Sequence, residues 1–504
     1  MQVIFGVDAR EYQKTKERVP VVWDSRTMVN GHMLLVGMSG AGKTHTLRRI
    51  VHEMQATAAH KLRVHVFDVH GDIEIDGAST VKFSEQTDYG LNPLIVDPDP
   101  HFGGVRKRIE GLIATLKKTD GQLGGKQAAT LRNLLTDLYE SFGFKANDPR
   151  TWTVDHNEIQ VEVEDGRIYL DVRIEEKDEA KQFGAKWDTD RRCWWVAADA
   201  YEGPITKWQP KVAGRRHPTM NDALRFTRRM LKNVFFGINQ PGIEALEAFC
   251  RVNRTYASKV LAAQRRGDKA FDDEDLLKDR EKAGEKAKTA FAKFIDESKT
   301  GREVDDLIKY DSFDVMKSSV DRLENLNAIG IFKNKLPPFD PDCPVWRYHL
   351  TALSMVERKL FVLFRLQEIF MAAVQRGEQA DIVEVVILDE AHIYADDDEN
   401  NIINTMAKEA RKFGVSLICA SQSPTHFTDD FVSSVATKVI LGIDETYWDG
   451  AVRKLKLEPT LLPWIKPTMT MAVQVKQRGE ARNVWNWVLI PRQAPVPARE
   501  QQAA

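Results

Sequence analysis

The sequence predicts an α/β fold in which one mostly parallel sheet is encoded by two distant stretches of chain. A large, mainly helical insertion lies between them and itself carries a small α+β module. Three observations predict this. From Val345 onward, aliphatic and β-branched runs alternate with helical periods, the pattern of a parallel sheet. Two segments suited to the C-terminal edge of one such sheet, Gly37–Thr44 and Asp389-Glu390, lie far apart in the chain. Between them, strand signals vanish from Thr219 to about Asn327.

Residues Met33–Val36 read as a strand, followed by a glycine loop and a helix from about Lys43. Arg63–Phe67 is a second strand, ended by Asp68, and Asp97-Pro98-Asp99-Pro100 breaks the pattern. From Val105 to Tyr139 the period is helical, with Ile109, Leu112, Ile113 and Leu116 on one face. Ile159-Gln160-Val161-Glu162-Val163 alternates, Asp165-Gly166 signals a hairpin, and Ile168–Val172 forms its return. Trp187, Trp194, Trp195 and Trp208 cluster here. Asp268–Lys299 is dense in alternating charge, the mark of a solvated helical hairpin or arm.

The second half of the sheet reads as strand Val345–Leu350, helix Met355–Arg376, strand Val383–Leu388, helix Asn401–Phe413, and strands Val415–Ala420 and Thr437–Leu441. Thr468–Val475 and Asn483–Leu489 make an antiparallel finish, and the Pro/Ala/Gln-rich tail Pro491–Ala504 is expected to be disordered. The expected organisation is 1–100 and 340–490 as the two parts of the core. The insertion comprises 101–152 and 213–339, with the module at 153–212 and the tail at 491–504.

The 504 residues are 42% hydrophobic and 29% charged, with a formal net charge of −2, so any nucleic-acid binding must come from local patches. Cys193, Cys250, Cys343 and Cys419 are far apart with no C-x-x-C, which argues against a disulfide framework or zinc site and for a reducing compartment. The N-terminus lacks a signal-peptide pattern. The apolar stretch Leu360–Val374 is broken by Arg365, Gln367 and Glu368, so no integral membrane segment is expected and the expected location is the cytoplasm, with peripheral membrane association only through partners.

Gly37-Met38-Ser39-Gly40-Ala41-Gly42-Lys43-Thr44 matches G-x-x-x-x-G-K-[ST] between a strand and a helix, the context that gives the motif meaning. The glycines let backbone N–H groups wrap phosphates, and the helix N-terminus adds its dipole. Lys43 is placed to reach the β- and γ-phosphates, and the Thr44 hydroxyl to ligate Mg²⁺. The expected nucleotide-contacting set is Gly37, Ser39, Gly40, Ala41, Gly42, Lys43, Thr44 and His45, with ATP and Mg²⁺ as cofactors.

Val385–Leu388 is aliphatic throughout, a strand buried on both faces, and its end carries Asp389 and Glu390. Asp389 is expected to hold Mg²⁺ through water and Glu390 to polarise the attacking water, against the plainer reading of two helix-capping acids. Gln422 follows the next strand, either as a γ-phosphate sensor or as an exposed loop amide. Arg411, beside Lys412, is either an arginine finger acting on a neighbouring subunit or a plain helix C-terminal cation. Asp68, His70 and Asp72 are expected in the same cleft, as hydrogen-bonding groups or as a metal site.

Taken in order, Gly37–Thr44, Phe67–Asp72, Leu91–Leu94, Leu388–His392, Ala410–Val415 and Ala420–Gln422 resemble the HerA/FtsK-type ATPases. The branch most resembled contains HerA-like helicases and the motor ATPases of conjugation and type IV secretion. Arg322–Leu326, Gly330–Phe332 and Glu357–Leu360 add to that resemblance, which covers about residues 20–152 and 216–490. It implies a RecA-like P-loop core, a hexameric homo-oligomer with ATP at subunit interfaces, and translocation of double-stranded DNA through a pore. A nuclease, effector or secretion channel is the implied partner. No counterpart of the large N-terminal region of the secretion motors, or of the full HerA barrel, is expected in this sequence. Tyr169–Val172, Glu176–Lys181, Gly184–Asp188 and Cys193–Val196 resemble a small module of plasmid primase-like proteins. Its tryptophans form a core, with Trp195 or Trp187 buried, or, with Lys181, Lys186, Arg191 and Arg192, a single-stranded nucleic-acid surface.

The expected function is an ATP-hydrolysing, ring-forming DNA translocase or helicase-like motor in DNA transfer, processing or defence against mobile elements. The alternatives are a secretion-type ATPase acting on proteins and a nucleotide-gated scaffold that activates a partner.

Overall fold

A computed structural model describes residues 1–120, 123–154, 167–170, 172, 176–189, 193–197, 200–201, 203–208, 216–235, 240–265, 274–298, 309–398, 401–480 and 484–490. The expected strand Ile159–Val163, the Asp165-Gly166 turn, Arg191, Arg192 and the tail Pro491–Ala504 lie outside them. The chain divides into two compact units, Met1–Leu91 with Lys333–Ala504, and Asn92–Phe332.

The strands are β1 (Gln2–Asp8), β2 (Pro20–Asp24), β3 (Met33–Gly37), β4 (Arg63–Asp68), β5 (Ser79–Lys82), β6 (Arg167–Leu170), β7 (Lys186–Asp188), β8 (Cys193–Ala197), β9 (Val345–His349), β10 (Glu384–Leu388), β11 (Val415–Ser421), β12 (Thr437–Gly442), β13 (Thr470–Val475) and β14 (Trp485–Leu489). The helices used below are α1 (Ala9–Thr15), α2 (Lys43–Thr57), α3 (Val105–Asp120), α4 (Gly125–Ser141), α5 (Lys177–Gln182), α6 (Met220–Phe235), α7 (Gln240–Arg265), α8 (Glu274–Glu297), α9 (Phe313–Ala328), α10 (Met355–Arg376) and α11 (Ile402–Glu409).

In the first unit, eleven strands among the described residues form one sheet in the order β2-β1-β14-β13-β12-β3-β11-β10-β4-β9-β5. From β12 to β5 every pairing is parallel, and from β13 to β2 every pairing is antiparallel. Every position of β3, β10 and β11 is buried, because helices cover both faces of a parallel sheet and only aliphatic runs satisfy both. On one face, Leu47, Ile50, Val51 and Met54 of α2 recur at helical spacing and pack on Met33, Leu35, Val66, Ile387, Ile418 and Val439. On the other, Phe361 of α10 lies 4.4 Å (ring centroids) from Phe83, and Phe67 stacks on Tyr348 at 4.5 Å. Ser354 and Glu357 close a capping box that starts α10.

The elements of this unit that go beyond the sequence reading include β1, α1, β2, β5 and the short helices Asp429–Ser434, Trp448–Leu455 and Leu461–Trp464. The β1–β2 pairing shifts register between Ile4 and Gly6, a bulge that interrupts the alternation a strand is recognised by. The helix expected over Asn401–Phe413 also divides: α11 ends at Glu409, and Ala410–Phe413 tightens into a 3₁₀ turn closed by Gly414 at φ +70°.

In the second unit, α4, α6 and α9 pack on one another, burying Leu131, Leu134 and Leu138 of α4 with Phe226 of α6 and Met316 and Leu323 of α9. The charged arm is the pair α7 and α8, crossed by a Lys259–Asp279 ion pair at 2.6 Å. Strands β6-β8-β7 form a small antiparallel sheet over α5. Its core holds Leu170, Ala180, Trp194, Val196, Ile205 and Trp208. This corrects the expected tryptophan assignment: Trp194 and Trp208 are buried, Trp187 is 48% exposed and Trp195 is half-buried. Adjacent residues of a strand face opposite ways, so Trp194 and Trp195 cannot both enter one core, and Trp187 stands on the short edge strand β7.

Candidate nucleotide-binding site

Gly37 ends β3, and the loop that follows is held by two backbone hydrogen bonds, Met38 N to Gly442 O at 2.7 Å and Ala41 N to Met38 O at 3.2 Å. Gly40 and Gly42 adopt φ +76° and +97°, where a side chain would be strained, and a Cβ on Gly40 would meet nothing within 4 Å. Helix α2 begins at Lys43 with no side-chain cap and no acid in its first turn, which leaves its N–H groups for an anion. Lys43 Nζ donates to Gly37 O at 2.9 Å and lies 3.5 Å from Glu390 Oε1. Thr44 Oγ1 donates to Asp72 Oδ2 at 2.9 Å. Met38, Ser39 and His45 are exposed, although partial desolvation of the His45 ring, then the Arg49 and Arg48 charges, lowers its pKa.

The acids arrive from the neighbouring strands. Asp389 and Glu390 follow β10 and are both buried. Glu390 takes a left-handed backbone, φ 46° and ψ 47°, which costs about 1–3 kcal/mol in a non-glycine residue and persists only where the surroundings enforce it. Carboxylate oxygens of Asp68, Asp72 and Asp389 all lie within 4.8 Å of one another. Asp68 is already committed. It accepts from Arg347 Nε and Nη2 at 2.9 and 2.6 Å, and from Gly71 N and Ile73 N at 2.7 and 3.1 Å. That leaves Asp389, Asp72 and Thr44 as the oxygen donors a Mg²⁺ ion would meet.

Burial, then the Glu390 charge, pushes the Asp389 carboxyl up to about 6. Burial also pushes Glu390 upward, but His392, Lys43 and His70 outweigh it and hold the carboxylate below its usual range. His392 Nδ1 stands 3.2 Å and His70 Nε2 3.9 Å from Glu390. The His392 ring lies 4.9 Å from that of His426, whose Nδ1 is 3.0 Å from Ser421 Oγ. Tyr394 is fully buried, and its hydroxyl has no partner among the described residues. The glycine loop, the uncapped helix, the strained Glu390 backbone and this orphaned hydroxyl all fit a bound nucleotide with its metal ion.

Gln422 is exposed directly after β11, the strand between β3 and β10, so it stands between the loop and the acids on the same edge. Arg411 does not join them. It precedes β11, on the opposite edge of the parallel sheet, exposed and lining a cavity of about 640 Å³ with Asn30, Asp381, Lys412 and Arg478. Sequence reasoning missed Arg347, His426 and Tyr394. The signal for Arg347 was present: an arginine inside the strand Val345–His349 must find a buried acid.

Residues 12–100 match the family model described as "Helicase HerA, central domain". A stretch of 63 residues is 44% identical to the DNA double-strand break repair helicase HerA of Pyrococcus furiosus, covering 12% of this chain and 11% of that protein. That part of the chain is similar to the P-loop core of HerA. Residues 167–210 match a domain of unknown function, DUF5710. Another match, of 42 residues at 48% identity, is to DNA primase TraC of Escherichia coli, over 8% of this chain and 4% of that protein. The chain thus spans only a small part of the curated relatives it matches. By fold, the chain is similar to VirB4 of Thermoanaerobacter pseudethanolicus, with a TM-score of 0.55 and 13% identity over 98% of this chain and 97% of that one. Among the described residues, no helix is long and apolar enough to cross a membrane.

Proposed function

We propose that this protein is an ATP-hydrolysing, ring-forming motor that translocates double-stranded DNA in DNA transfer, DNA processing or defence against mobile elements. The observation that carries the reading is the convergence of Lys43, Thr44, Asp389 and Glu390 at one sheet edge, with Lys43 Nζ 3.5 Å from Glu390 Oε1. ATP would lie in the loop Gly37–Gly42, its phosphates on the α2 N-terminus and Lys43. Mg²⁺ would be held by Thr44, Asp389 and Asp72 and would neutralise charge between the β- and γ-phosphates. Glu390, kept ionised by its neighbours, takes the proton of the attacking water, and Gln422 is positioned to read the γ-phosphate. The relatives named for HerA and for a DNA primase support a DNA substrate. The whole-chain fold likeness to VirB4 favours, as a second reading, a secretion-type motor working on proteins.

Phosphate release measured with and without duplex DNA tests the proposal. Duplex is expected to accelerate turnover, and Glu390→Gln is expected to retain ATP binding while losing about 100-fold or more in turnover. Turnover indifferent to DNA supports the protein-substrate reading. Full biological function in Glu390→Gln would reduce the protein to a nucleotide-gated scaffold.

A further inference from the structure

The module's sheet has two unlike faces. Ile168, Leu170, Trp194 and Val196 turn inward to Trp208 and Ala180. The same alternation sends Arg167, Tyr169, Lys186, Asp188 and Trp195 to the other face. The register sets Tyr169 opposite Trp195 and Trp195 opposite Lys186, one row across all three strands. Over the half-buried Trp195 ring, the Arg167 guanidinium lies 4.3 Å and the Lys186 ammonium 5.5 Å from the centroid. Tyr169 Oη donates to Asp188 Oδ2 at 3.2 Å.

Charge is segregated between the two sides. Glu176 and Glu179 lie with Lys207 at 3.5 and 2.5 Å beside α5, so the acids of that side already hold a cation. On the other face, Asp188 is the single acid among the described residues, and it faces both Tyr169 and Arg167. The core is filled by Trp194 and Trp208, so Trp195 and Tyr169 stay half-buried on the other face, outside that core.

We infer that this face binds single-stranded nucleic acid, with bases stacked on Trp195 and Tyr169 and phosphates paired to Arg167 and Lys186. Every base has a π-face, so such a row is tolerant of sequence, and a base can reach it only when it is unpaired. Arg167 serves either role, since its planar guanidinium remains over the indole or swings to a phosphate. A duplex offers phosphates but no free base faces, so it engages this face only through the two cations. The inference stands apart from the motor reading, which concerns duplex DNA and the other unit.

The test uses the full chain without nucleotide and two probes, a fluorescein-labelled oligo(dT) of about 15 nucleotides and a duplex of the same length, at one fixed salt concentration. The double variant Arg167→Glu/Lys186→Glu, changed only at exposed positions, is expected to lose about tenfold or more in affinity for the single strand. Its duplex affinity should fall far less than its single-strand affinity, and its ATP turnover should be unchanged. Trp195→Phe should keep most of the binding and Trp195→Leu should lose it. A 5-iododeoxyuridine oligonucleotide should photocrosslink to Tyr169 or Trp195. Unchanged single-strand affinity in the charge-reversed variant overturns the inference, as do crosslinks confined to other peptides. Equal loss of single-strand and duplex binding also overturns it, because the face would then be a basic patch without stacking.

Discussion

The chemistry of single residues at the sheet edge leads to two measurable consequences. Asp389 has a folded-state pKa raised to about 6 from 3.8, so without metal its protonated form is the one the fold prefers. That contribution is complete below about pH 3.8 and is lost as pH rises through 6. Asp389→Asn should therefore stabilise the metal-free, nucleotide-free protein at pH 8 by about 1–3 kcal/mol in urea titrations, while removing the Mg²⁺ dependence of nucleotide binding. Equal stability of the two proteins at pH 8 would count against the buried, cation-seeking carboxylate. Arg347 is the counterpart inside the sheet, since its guanidinium is the only cation hydrogen-bonded to fully buried Asp68 among the described residues. Arg347→Ala should cost about 3–5 kcal/mol, because it leaves that carboxylate buried and unpaired. The double variant Arg347→Leu/Asp68→Leu should recover part of the loss, which a double-mutant cycle would read directly.

At the scale of elements, the parallel strands were legible and the edges were not. A strand buried on both faces must be aliphatic, so β3, β10 and β11 announce themselves, and their ends locate Lys43, Asp389, Glu390 and Gln422. β1, β2 and β5 are short or bulged and half-exposed, so their residues alternate too weakly to separate from loop. The Arg347–Asp68 pair was hidden for another reason: it depends on β9 lying beside β4, a neighbour relation that no local pattern encodes. His32 belongs to this scale as well. It leads into β3, and its Nδ1 accepts from Leu417 N of β11 at 3.0 Å, so the neutral ring carries its proton on Nε2. Burial, aided by the Arg411 charge, lowers its pKa to about 4 from 6.5. The unfolded chain then binds a proton below pH 6.5 that the fold refuses until about pH 4, so stability present above 6.5 is lost across that window. Between pH 7 and pH 4 the contribution is about 3 kcal/mol at most, and His32→Gln should flatten the pH dependence of the urea midpoint over that interval. An unaltered pH profile in that variant would show that the ring titrates normally.

For the whole molecule, the position of Arg411 decides how many chains one active site needs. The loop, the acids and Gln422 all stand at the C-terminal edge of the parallel strands, whereas Arg411 precedes β11 and stands at the opposite edge. No rearrangement short of refolding the sheet carries it to Lys43 of the same chain. If it acts on a phosphate, that phosphate belongs to a neighbour, and a head-to-tail interface repeated around a closed ring supplies one such neighbour for every subunit. Mass measurement with ATP and duplex DNA should then show a ring, and the expected count is six. Mixing separates the roles of the residues. Lys43→Ala removes phosphate binding but still offers Arg411, and Arg411→Ala offers an intact loop without the arginine. Each variant alone should be nearly inactive. In an equal mixture, one interface in four joins an intact loop to an intact arginine, so about a quarter of the wild-type turnover should return if interfaces act independently. Full activity of Arg411→Ala alone would instead mark the residue as a cation at a helix end with no part in hydrolysis. An inactive mixture, with mass measurements showing both chains in one ring, would mean that Arg411 supports its own subunit only.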